Sequence, residues 1–134
     1  MSKIIIGLVA YVILTFAIAY SWNMVLFREN YLALASSSLR SAPIIQLGLI
    51  TILLEGLALS IIFSIYYKGG NPLTEGLLLG LLVGVFSVAY AGLTVPAKFV
   101  IDPIWKYTAL EFSFGIIHFG LAGIILSFIF NRSS

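Results

Sequence analysis

Residues 76–98 read GLLLGLLVGVFSVAYAGLTVPAK. At helical spacing Gly76, Gly80, Gly84, Ser87, Ala91, Thr94 and Lys98 fall on one face, each three or four residues after the last. Every other face is Leu, Val, Phe or Tyr, so in water such a helix would have no solvated side. In lipid the apolar faces meet acyl chains, and the small-residue face lets another helix backbone approach closely. The seam is expected to pack against the first or second span, or to form a dimer seam. Toward its C-terminal end the same face turns polar and finishes on a lysine.

Composition extends that reading to the whole chain. The 134 residues are 61% hydrophobic and 9% charged, against about 25% charged in a soluble domain. Seven basic and five acidic side chains could not cover a water-soluble fold of this length. A net charge of +2, scattered along the chain, is no nucleic-acid surface. The absence of cysteine excludes thiol nucleophiles, zinc–thiolate sites and disulfides. The expected fold is all-α: a single domain, an integral membrane bundle of four transmembrane helices at about 4–27, 43–67, 72–98 and 103–130.

In the first segment Lys3, the run 4–16 and Ala17-Ile18-Ala19 imitate a signal peptide. The apolar stretch continues to Phe27, however, so a retained span is expected, with Tyr20, Trp22 and Asn23 as its interfacial anchor. Residues 28–42 form a mixed loop, partly a short helix along the interface. Pro43 suits the first helical position of span two, which ends on Tyr66, Tyr67 and Lys68 before a Gly69-Gly70 turn. Asn71 and Pro72 should cap span three, with Glu75 in the dipole-favoured first turn and Pro96 disturbing its end. Asp102-Pro103 is expected to play the same capping role for span four. Lys3, Lys68 and Arg132 then share one side, and Arg28, Arg40, Lys98 and Lys106 the other, which sets no orientation and leaves dual topology open.

Polar residues at matching depth point to a candidate site. Tyr20 and Asn23 end span one, Gln46 begins span two, Tyr90, Thr94 and Lys98 end span three, and Glu111 begins span four. Glu55 and His118 lie deeper. Together they sketch a pocket open on one side and closed against the glycine-packed half. Glu55 is the sharpest residue: a carboxylate at a helix centre costs about 2.5–3.5 kcal/mol on insertion scales, so it should face the bundle with a partner or carry a proton. Its functional reading is proton or cation coupling, and its structural reading is an interhelical hydrogen bond. His118, two turns from Glu111 on one face, makes a relay with it or is a plain interhelical hydrogen-bonder. Lys98 either pairs with Glu111 at the pocket mouth or snorkels to the headgroups. One histidine without cysteine is a poor metal set, so neither metal nor cofactor is expected. No triad, phosphate loop or dinucleotide fingerprint occurs, and an enzyme is the least supported class.

Trp22 with Phe27, Glu55-Gly56, GLLLGLLVGVFSVAY followed by Pro96-Ala97-Lys98, and Glu111 form a layout spread over nearly the whole chain. In it the chain resembles the small four-span bacterial membrane proteins grouped as domains of unknown function. That resemblance implies a four-span fold in a prokaryotic inner membrane and carries over no activity. The chain is also similar to small multidrug-resistance exporters in length, span number and a membrane glutamate. Their glutamate belongs in the first span, however, where this chain has no acidic residue. Three functions are consistent with these readings. The foremost is a structural or accessory protein in the bilayer, alone or as a small subunit of a larger complex, with a homodimer the state expected of the transporter reading. The others are a small proton-coupled transporter using Glu55, and a lipid or hydrophobic-ligand binder near Tyr90, Lys98 and Glu111.

Overall fold

The computed structural model describes residues 2–35 and 44–131, and among them all regular structure is helical. Helix α1 (Ser2–Tyr20) runs on through a π-helical turn, Ser21–Leu26, and α2 (Arg28–Ala35) follows. Helix α3 is Ile45–Tyr66, and α4 (Leu77–Ala89) is flanked by π-helical turns at Pro72–Gly76 and Tyr90–Thr94. A short α5 (Val95–Lys98) and the long α6 (Ile104–Asn131) complete the chain. Four stretches are long and apolar enough to cross a membrane: Lys3–Leu26, Ile45–Tyr66, Pro72–Lys98 and Ile104–Asn131. The expected bounds are met within two residues at every described end, while Pro43, Arg40 and Arg132 lie outside the described residues.

Polarity is arranged inside out. Ile5, Ile13, Leu54, Leu78, Leu82 and Phe86 are exposed, whereas Thr15, Ser60, His118 and Ser127 are buried. In water such an apolar surface would aggregate; against acyl chains it is the favourable face.

Helix α6 is the hub. It packs against α4, α1 and, more lightly, α3, while α1 also carries α3. Tyr11, Leu59, Phe63, Phe119, Ala122 and Leu126 form the core where these helices meet. The glycine seam of span three therefore sits on span four, and not on span one or two. A Cβ on Gly80 would strike the carbonyl oxygen of Phe119 and stand 3.0 Å from the Cα of Gly123; one on Gly84 would stand 2.9 Å from the Cβ of Phe119. A Cβ on Gly76 would meet Ser127 Oγ and the Gly123 carbonyl.

The seam also continues differently from the expected face. The buried positions are Gly76, Gly80, Gly84, Val88, Gly92 and Pro96, a strict four-residue step, and Ser87, Thr94 and Lys98 are exposed. A four-residue step overshoots a helical turn by about 40°, so this seam winds around the helix and suits a helix that crosses it. The wider π turn at Tyr90–Thr94 turns part of that drift back.

Pro96 has no N–H to offer the carbonyl of Gly92 one turn earlier, and in lipid that oxygen needs another donor. Thr108 Oγ1 of α6 supplies it at 2.6 Å, and Gly92, where a Cβ would stand 2.9 Å from the Phe112 ring, lets α6 come this close. Thr108→Val is expected to lower stability by about 1–2 kcal/mol, read as an unfolding midpoint in detergent, with Thr108→Ser close to wild type.

At the other turns, Asn71 caps span three as expected, its Oδ1 accepting from the N–H groups of Leu73 (2.9 Å) and Thr74 (3.4 Å). Asp102 does not directly precede the first residue of span four: α6 begins at Ile104, and the Asp102 N–H donates to the Leu34 carbonyl at 3.3 Å. Leu34 and Ile101 pack together against Val95, Tyr107 and Leu110, which seats α2 across this end of the bundle.

Candidate functional site: a polar layer between spans one, two and four

Helix α1 buries Gly7, Tyr11 and Thr15 at four-residue steps on an otherwise apolar helix. These positions face Glu55 and Ser60 of α3 and His118 of α6. The Tyr11 hydroxyl donates to Glu55 Oε1 at 2.8 Å. Thr15 Oγ1 and His118 Nε2 are 2.8 Å apart. The two pairs touch through their rings, with Tyr11 and His118 centroids at 5.2 Å. Glycine makes the approach possible: a Cβ on Gly56 would stand 3.0 Å from the Tyr11 ring, and one on Gly7 would stand 2.6 Å from Ser60 Oγ.

His118 is 2% exposed, and its Nδ1 has no hydrogen-bond partner among the described residues. A buried N–H left unpaired costs more than a bare lone pair, so the favoured tautomer carries its hydrogen on Nε2 and donates to Thr15. Aromatic rings hold the imidazole. Phe114 stacks on it at 5.2 Å and 25°, and Phe119 lies at 4.7 Å. Ser60 Oγ and Ser127 Oγ are buried without a partner among the described residues. Rotation about χ1 would let each bond the carbonyl one turn back.

The sequence candidates divide sharply. Glu55 and His118 belong to this layer, through Tyr11 and Thr15 and not through one another. Glu111 lies two turns from His118, half-buried beside Gly92, while the imidazole turns to Thr15. Lys98 Nζ donates to the Tyr90 hydroxyl at 2.7 Å and lies 5.1 Å from the centre of that ring, both side chains exposed on the outer face of span three. The seam's winding puts them there, so they do not line a pocket inside the bundle. Gln46 is exposed near the start of α3. Asn23 gives its amide to the Ala19 carbonyl at 3.0 Å within its own helix, serving the π turn. Trp22 is half-buried between Phe27 (4.5 Å) and Phe114 (5.9 Å), whereas Tyr20 is exposed.

Tyr11 and Thr15 were missed by sequence reasoning. The available signal was their i, i+4 spacing, four residues on from Gly7, on a helix otherwise without polar groups at that depth. No three-residue cluster of potential metal ligands occurs among the described residues.

Neither a protein-family model, nor a curated protein, nor a solved structure matches the chain.

Proposed function

We propose that the chain is an accessory or assembly subunit, homodimeric or part of a larger complex, in a prokaryotic inner membrane. The supporting observation is the first half of α3. Residues 44–51 are exposed on every side, and a Cβ on Gly48 would meet nothing within 4 Å. Gly48, Thr51 and the half-buried Glu55 lie along one face there, a small and polar face that a neighbouring helix covers better than lipid does. The inner-membrane assignment extends the resemblance to small four-span bacterial proteins read from the sequence.

The chain has no cysteine, so a single one reports its surroundings cleanly. Gly48→Cys in native membranes is expected to cross-link into one species of fixed mass, while Phe86→Cys, at a position 86% exposed on the outer face of α4, stays monomeric. Equal behaviour of the two would overturn the assembly role.

A second reading, proton coupling, is favoured by one feature: two hydrogen-bonded pairs, Tyr11 with Glu55 and Thr15 with His118, meet across three helices where the Tyr11 and His118 rings touch. Glu55→Gln separates the two readings. The glutamine carbonyl still accepts from Tyr11, so folding survives in both. In liposomes holding a pH gradient, an assembly subunit shows only the lipid leak with or without the substitution. A coupled transporter loses a measurable wild-type flux.

A further inference from the structure

Spans two and three are joined by a short turn, yet they lean on different neighbours, α3 on α1 and α4 on α6. They part near that turn, and a groove of about 270 Å³ opens between them, lined by Tyr66, Tyr67, Glu75, Leu78, Leu79 and Leu82. It starts at the ends of both spans beside the turn, where Tyr66 and Tyr67 stand, and runs along α4 to Leu82.

The lining is sorted by chemistry. Tyr67 is fixed, its hydroxyl donating to the Gly70 carbonyl at 2.5 Å and its ring 6.4 Å from that of Phe63. Burial, together with the charge of Glu75, pushes its phenol above the usual tyrosine range. Glu75 is half-buried and folds against Gly70, where a Cβ would occupy the place of its carboxylate. Leu78 and Leu82 are exposed and carry the apolar wall from the groove down the lipid face of α4. Lys68, next in sequence to Tyr67, is exposed beside the turn.

We propose that this groove binds the ammonium headgroup of a zwitterionic phospholipid. A carboxylate that shares a groove with two tyrosines attracts a cation and repels an anion. The leucines accept the start of an acyl chain, which selects a lipid over a soluble amine. The Lys68 ammonium is placed in sequence to meet the phosphate that follows the headgroup nitrogen. At 270 Å³ the groove falls just under the range of about 300–1,000 Å³ usual for ligand pockets and suits a headgroup rather than a larger molecule. The site is independent of the assembly role.

The test is native mass spectrometry of the protein in detergent micelles with equal dioleoyl-phosphatidylethanolamine and dioleoyl-phosphatidylglycerol. Wild type is expected to retain the ethanolamine lipid preferentially, and Glu75→Gln to lose about tenfold of that preference at unchanged thermal stability. Tyr66→Leu, on an exposed ring, should reduce it as well and carries the test if Glu75→Gln unfolds. Equal retention of both lipids by wild type, a preference for the glycerol lipid, or a preference that survives in the folded variants would each overturn the site.

Discussion

Gly80→Leu is expected to abolish the folded bundle, and Gly80→Ala to destabilise it by about 1–3 kcal/mol. The reason is what a side chain would meet. The Cβ position at Gly80 is blocked by the Phe119 carbonyl and by the Gly123 backbone, and neither can rotate away as a side-chain tip can. Relief requires moving α4 off α6, and with it the reciprocal contact at Gly123, whose own Cβ would strike the Gly76 carbonyl and lie 2.8 Å from the Cα of Gly80. Helix association in lipid draws on close packing and not on hydrophobic burial, so nothing replaces what is lost. Gly48→Leu is the matched control. It makes the same chemical change where nothing lies within 4 Å, so it should leave protomer stability within about 0.5 kcal/mol of wild type while disturbing assembly. Detergent unfolding followed by far-UV circular dichroism checks both. A Gly80→Leu protein as stable as Gly48→Leu would remove the internal seam from the account.

His118→Ala is expected to cost about 3–5 kcal/mol, the range for emptying a buried ring-sized site. The imidazole packs against Tyr11, Phe114 and Phe119 and bonds Thr15, so its removal loosens α6 from α1 at a level where both helices are polar. A Thr15→Val and His118→Ala double-mutant cycle should isolate a coupling of about 0.6–1.7 kcal/mol for the hydrogen bond alone, the remainder being ring packing and cavity. A loss below 1 kcal/mol for His118→Ala would mean that the polar layer does not hold the bundle together.

The candidate site was legible in part. Glu55 and His118 stood out because an ionisable group deep in an apolar run is costly whatever surrounds it, a property of the residue and its depth. Their partners did not stand out. Tyr11 and Thr15 are unexceptional in an apolar helix until the rotation of α1 against α3 and α6 is known. Pairing Glu111 with His118 assumed that residues sharing a face of one helix share a neighbour. Here that face passes from the end of span three to span one within two turns, and the imidazole turns to Thr15.

Local chemistry, read along the chain, was enough for the class of fold, the four spans and the cap at Asn71. Apolar length against bilayer thickness decides spans, and an amide two or three residues from free N–H groups decides a cap. Which helices meet was decided only in three dimensions. A glycine stripe states that a backbone can come close without naming whose. Span four took that place because its own Gly115, Gly120 and Gly123 accept the approach, where span one carries Gly7 and span two Gly48 and Gly56. The four-residue step of the buried seam then wound the contact face away from the polar end of span three, leaving Tyr90 and Lys98 at the surface and the polar layer to spans one, two and four.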